Sequence, residues 1–129
     1  MTKQKKTIRK KPKDSTPALL EAIIAGMQDV KAKDINVLDL RELQNAMSDY
    51  FVVCHGTSNT QVQAIAGSIE KETKKQCADE PWHIEGTKNA KWILMDYINV
   101  VVHIFDEEAR QFYGLEDLWA DAPVEQIRD

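Results

Sequence analysis

At 129 residues, 43% hydrophobic and 29% charged, the chain has the size and composition of one ordinary globular domain. No apolar run reaches the roughly 18 residues that a bilayer span requires, and the first thirteen residues lack the apolar core of a secretory signal. The net charge of −4 is divided unevenly: Lys3, Lys5, Lys6, Arg9, Lys10, Lys11 and Lys13 precede any acid, and removing these seven from 17 basic residues leaves 10 against 21 acidic ones, about −11 for the rest.

An acidic body of this kind repels nucleic acid and attracts basic proteins. The composition of residues 1–15 predicts a disordered leader, whose other use is contact with a phosphate backbone. Cys54 and Cys77 form no C-x-x-C pair, so a reducing, cytoplasmic compartment is the simplest inference, with Cys54 a small core residue.

In chain order, Thr16-Pro17 predicts a helix start with Thr16 as N-cap, and Leu19, Leu20, Ile23, Ile24, Met27 and Val30 mark its apolar face. Lys31 and Lys33 suit the end of that helix. Val37 to Leu40 is a short strand candidate, and Arg41 to Ser48 reads as a connection. The apolar run Phe51 to Cys54 predicts a strand covered on both faces. His55-Gly56-Thr57 makes a turn, and Ser58 with Gln61 forms a capping box. Val62, Ile65, Ala66 and Ile69 then predict a helix to about Lys75 that lays one stripe on the sheet. The glycine turn has two readings, an anion cradle at a helix N-terminus or a plain reversal with a capped helix. The missing Lys of a full phosphate loop favours the second.

Trp82 to Gly86 predicts a brief edge strand and Thr87 to Lys91 a turn. Trp92 to Tyr97 and Val100 to Phe105, two residues apart, predict a β-hairpin. With Tyr97 opposite Val100, one face carries Ile93, Met95, Tyr97, Val100, Val102 and Ile104, and the other carries Trp92, Leu94, Asp96, Val101, His103 and Phe105. Asp106 caps a helix with Glu107 and Glu108 in its first turn, Gly114 breaks it, and Leu115 to Trp119 adds one turn. Past Ala120 a short acidic tail, set apart as 122–129, is expected to fray. Residues 16–121 thus form one α/β domain, a mixed β-sheet flanked by helices.

The chemistry-bearing residues do not assemble a catalytic site. His55, His83 and His103 lack metal-ligand spacing, so neither a metal nor a cofactor is expected, and Ser58 belongs to no nucleophile elbow. The enzymatic alternative is a nucleotide-binding or nucleotidyl-transferring protein, for which Gly56-Thr57-Ser58 imitates the substrate turn. The paired carboxylates are missing: Asp96 stands alone on its strand, and Val100 to Phe105 has no acid.

CHGTSNTQVQAIA (54–66) followed by WILMDYINVVVHIFDEEARQFYGLEDLW (92–119) resembles the ribosomal silencing factor family, also called the Iojap family, over about residues 17–121. The resemblance implies a nucleotidyltransferase-like fold without the catalytic carboxylates and a non-enzymatic translation repressor. It implies binding to the large ribosomal subunit through its basic fourteenth protein, which blocks subunit joining, and a tendency to form homodimers. Two features depart from the family pattern: Ile98-Asn99 replaces the usual Gly-Asp hairpin turn, and the Lys-rich leader is an addition, a candidate for weak contact with ribosomal RNA. The expected docking surface is the mixed hairpin face, Trp92, Asp96, His103 and Phe105, with Glu108, Arg110, Tyr113, Glu116, Leu118 and Trp119 beyond it. Ordinary core is the competing role for Trp92, Phe105 and Trp119.

Overall fold

A computed structural model describes residues 15–128. The elements in order are α1 (Thr16–Asp29), β1 (Lys33–Asp39), β2 (Tyr50–Gly56), α2 (Asn59–Cys77), β3 (His83–Glu85), β4 (Trp92–Asp96), β5 (Val100–Asp106), α3 (Glu107–Tyr113), α4 (Leu115–Leu118) and β6 (Val124–Gln126). The strands form one six-stranded sheet in the order β3-β4-β5-β2-β1-β6, antiparallel except where β2 lies parallel to β5. None of the described helices is long and apolar enough to cross a membrane.

Alternation along the strands separates two cores. Ile35, Val37, Val52, Cys54, Ile93, Met95, Tyr97, Val100, Val102 and Ile104 point to the face covered by α1 and α2, where they meet Leu19, Ile23, Met27, Val62, Ile65 and Ile69. The two helices cross closely, because at Gly26 an added Cβ would lie 2.8 Å from the Ile69 Cα. Ser68 Oγ also donates to the Gly26 carbonyl at 2.7 Å. Leu38, Val53 and Phe105 point to the opposite face, beneath Leu40, Ala109, Leu115 and Ala122. Burial pushes the Cys54 thiol up to about 12, so it is an unreactive core group.

The hairpin has the expected register, with Trp92 opposite Phe105 and Asp96 opposite Val101. Its turn is tight: the Asn99 amide donates back to the Tyr97 carbonyl at 3.0 Å across Ile98, whose φ is +76°. A β-branched residue in that conformation costs about 1–3 kcal/mol, which neighbouring contacts must offset. Asp96 Oδ1 accepts from the Ile98 amide at 2.7 Å, and the Asn99 carbonyl accepts from the Asp49 and Tyr50 amides.

Ser58 Oγ accepts from the Gln61 amide at 3.0 Å, as the capping box requires. The return bond goes one residue further back, since Gln61 Oε1 accepts from the Thr57 amide at 2.8 Å and from its hydroxyl at 3.1 Å. The glutamine side chain therefore fills the turn that an anion would need, and the capping reading is the one the geometry supports.

Four local expectations are corrected. Thr16 is the first helical residue, not the N-cap. Ser15 holds that position without a side-chain cap onto the helix amides, and the buried Thr16 hydroxyl instead lies 3.5 Å from the Asn99 side-chain Nδ2, tying α1 to the hairpin turn. Helix α1 ends at Asp29, so Lys33 opens a strand rather than matching a helix dipole. The strand expected at Val37 therefore begins four residues earlier. The tail is no frayed end either: Val124, Glu125 and Gln126 pair with Leu38, Val37 and Asn36, and the Pro123 carbonyl accepts from Asp39. Backbone pairing along the open edge of β1 supplies what apolar content could not.

Candidate docking face

On the sheet face away from α1 and α2, aromatic rings follow one another across the strands. From α3 the row runs Phe112 to Tyr113 (5.1 Å between centroids), Tyr113 to Trp92 (4.9 Å) and Trp92 to His103 (5.9 Å). It continues from His103 to Phe51 (4.5 Å) and from Phe51 to Trp119 (5.6 Å). Phe105 lies under Trp92 at 4.9 Å. Edge and tilted geometries of this kind add about 0.5–1.5 kcal/mol per pair beyond the area they bury.

The caps that hold this row are local. Asp106 Oδ1 accepts from the Glu108 and Ala109 amides at the start of α3, and Gly114 takes φ +57°, which turns the chain sharply into α4. Ala109 and Leu115 are thereby buried on the sheet, while Phe112 (81% exposed), Tyr113 (49%) and Leu118 (76%) face outward.

The expected surface residues divide into four groups. Tyr113, Leu118 and Glu108 are exposed, and Trp92, Asp96 and Trp119 are half-buried. Phe105 and His103 are buried, so Phe105 takes its core role and underlies the surface without forming it. Arg110 and Glu116 are joined to each other. Arg110 Nε and Nη2 donate to the two Glu116 oxygens at 3.0 and 2.9 Å, while Nη1 donates to His55 Nδ1 at 2.9 Å. Glu116 also accepts from Asn36 Nδ2 at 2.8 Å. Burial works to raise the Glu116 pKa, but the bonds from Arg110 and Asn36 outweigh it and hold the carboxyl below its usual range. The pair fixes the α3–α4 corner to the sheet.

Three surface residues escaped the sequence reading. Phe51 opens a run that predicts a strand covered on both faces, Phe112 sits three residues after the inward Ala109, and Met47 lies in a polar connection. The alternation of β2, which puts Phe51 opposite to Val52 and Cys54, was the one usable signal.

Electrostatics favour a cationic neighbour. Glu107, Glu108, Asp117 and Asp121 are exposed on and just after the two helices that carry Phe112, Tyr113 and Leu118, and Glu108 lines a surface hollow with Phe112 and Tyr113. The nearby cations are matched, Arg110 by Glu116 and Lys91 by Asp106 at 3.3 Å. Complementary fields of this sort act mainly on orientation and association rate.

Both buried histidines are neutral by their partners. Arginine only donates, so His55 Nδ1 accepts and the ring proton is on Nε2; burial and then Arg110 lower its pKa. Trp92 Nε1 donates to His103 Nδ1 at 3.1 Å, and burial holds His103 down to about 4. A histidine with an ordinary pKa of 6.5 that falls to about 4 on folding binds its proton better in the unfolded chain. Its contribution to stability is complete above pH 6.5 and is lost as pH falls toward 4. Between pH 7 and pH 5 the loss is about 2 kcal/mol. Thermal unfolding of wild type and His103→Leu at those two pH values checks this: the variant is expected to lose less stability on acidification, and equal losses would contradict the assignment.

Among the described residues no group of three or more His, Cys, Asp or Glu side chains is placed to hold a metal. Asp96 and Gly56 lie at opposite ends of the sheet, since Asp96 pairs with Val101 and Gly56 with Asp106, five residues along β5 and about 17 Å away.

The fold is a helix-backed mixed sheet, and the face opposite α1 and α2 carries an aromatic row with exposed carboxylates on the adjoining helices. The sequence model of the family described as ribosomal silencing factor during starvation matches residues 13–129. The chain belongs to this family. It is 39% identical over 110 residues to the ribosomal silencing factor of Bacillus subtilis, covering 85% of this chain and 92% of that protein. A mouse protein named for mitochondrial assembly of the ribosomal large subunit is 29% identical over 102 residues, 78% of this chain and 44% of that protein. The crystal structure of a Chromobacterium violaceum protein superposes with a TM-score of 0.74 at 33% identity, over 79% of this chain and 83% of that one.

Proposed function

We propose that the chain seats its aromatic, acid-rimmed face on the basic fourteenth protein of the large ribosomal subunit and thereby keeps the small subunit from joining. It represses translation by occupying space, with no chemical step. The observation that carries this reading is the aromatic row from exposed Phe112 and Tyr113 to half-buried Trp92, with Leu118 exposed on the next helix and Glu108 beside the two exposed rings. Monomeric proteins rarely leave such a cluster bare without a partner for it. The name of the mouse relative supports a large-subunit partner, and that of the bacterial relatives a ribosomal one. The working compartment is the cytoplasm, where ribosomes meet the free chain.

The same face would close a homodimer, which would compete with ribosome binding. The Lys-rich leader lies outside the described residues, and its proposed contact with ribosomal RNA rests on composition alone. Co-sedimentation with purified subunits tests the reading: the chain is expected to pellet with large and not with small subunits, and less so as salt rises. Equal recovery with both, or with neither, would remove the proposal.

A further inference from the structure

We infer that the docking face continues beyond the hairpin turn onto the 40–49 loop, where Ile98 and Met47 receive an apolar side chain flanked by Lys or Arg from the same partner protein. This rests on the docking reading above and extends it to residues outside the aromatic row.

Ile98 keeps a strained conformation that glycine would adopt at no steric cost, yet its side chain is half-exposed and belongs to neither hydrophobic core. Met47 is 95% exposed and likewise contributes to neither core. Neither side chain is explained by folding. The two are nevertheless held together. Ser48 Oγ donates to the Ile98 carbonyl at 3.2 Å, and the Asp49 amide donates to the Asn99 carbonyl at 2.8 Å. Further back, the Leu40 amide donates to the Asp49 carbonyl at 2.8 Å, closing the loop at its base.

Between loop and turn lies a cavity of about 480 Å³ whose lining includes Leu43, Ala46, Met47 and Ile98, with Asp49 and Asp96 at its margin. The one cation of that lining, Arg41, is already paired with Asp39 at 2.7 Å and lies over the Tyr50 ring. Its charge is therefore matched and the margin is acidic, which selects a basic occupant. The cavity is continuous with the aromatic row: Asp96 pairs with Val101, and Val101 pairs with Phe51, the ring that contacts Trp119. One partner surface would cover both.

Ile98→Gly and Met47→Ser in the full chain test the extension, with purified large subunits as the probe. Each is expected to weaken binding by about fivefold or more, because truncating an anchor in a pocket has effects of that size. The melting temperature should hold in Met47→Ser, and hold or rise in Ile98→Gly, where backbone strain is relieved. Wild-type affinity in either variant, while loss of Tyr113 and Leu118 abolishes binding, would overturn the extension and leave the central docking reading standing. Failure of the wild-type chain to bind large subunits would overturn both.

Discussion

Replacing Tyr113 and Leu118 together by alanine is expected to lower affinity for large ribosomal subunits by roughly 100-fold or more, while costing the fold only about 1–2 kcal/mol. The size follows from the anchors involved: a buried aromatic or aliphatic anchor at the centre of an interface commonly costs about 2 kcal/mol or more when truncated, about 30-fold apiece. The stability argument follows from exposure. Leu118 is 76% exposed and Tyr113 49%, so the folded chain buries little of either side chain. Tyr113 does pack against Trp92 and Phe112, and losing those two ring contacts should cost about 1–2 kcal/mol in all. Phe105→Ala makes the contrasting control. It removes a fully buried ring beneath the face and should cost about 3–5 kcal/mol of stability, so any loss of binding there would reflect unfolding. Binding isotherms beside thermal melts separate the two cases; a Tyr113/Leu118 variant that binds like wild type would take this face out of the docking account.

Gly26→Ala is expected to destabilise the fold by up to about 2 kcal/mol, and Gly26→Val by more, although both residues favour or tolerate helices. An added Cβ would lie 2.8 Å from the Ile69 Cα and 3.0 Å from the Ile69 nitrogen and the Ser68 carbonyl oxygen. These are backbone atoms of α2, so relief requires the two helices to separate. Overpacking of this kind costs about 1–3 kcal/mol, against a helix-propensity gain for alanine of about 1 kcal/mol. Gly67 on the neighbouring helix supplies the opposite case. Nothing lies within 4 Å of a Cβ there, so Gly67→Ala should stabilise by about 0.5–1 kcal/mol. Melting temperatures moving in opposite directions at the two glycines check the assignment, at about 4 °C per kcal/mol for a domain of this size. Two shifts of the same sign would contradict the close crossing.

The parts of the fold legible in the sequence are those with a period. Ile93, Met95 and Tyr97 alternate with Trp92, Leu94 and Asp96, and a two-residue gap fixes Tyr97 opposite Val100, so both faces of the hairpin follow from the sequence alone. Ser58 and Gln61, Asp106 and Gly114 announced helix boundaries through their own chemistry. What could not be read depended on other elements. The three residues of β6 carry no pattern and owe their strand to the edge of β1. Thr16 was expected to cap a helix, but its hydroxyl meets Asn99, 83 residues away.

The docking face shows the same limit. Its composition was visible in Trp92, Tyr113, Leu118 and Trp119, but which groups face outward was not. Arg110 and Glu116 look like free surface charges in a linear chain; the left-handed turn at Gly114 brings them together and anchors them to His55 and Asn36. Phe51 joins the row only because β2 lies beside β5, a pairing of strands far apart in sequence.

Subunit joining, followed by light scattering after purified large subunits are mixed first with the chain and then with small subunits, tests the central claim most directly. The account predicts that joining falls in step with occupancy and is nearly abolished at saturation, and that the Tyr113/Leu118 variant restores it. Undiminished joining with the chain at saturating concentration would contradict it.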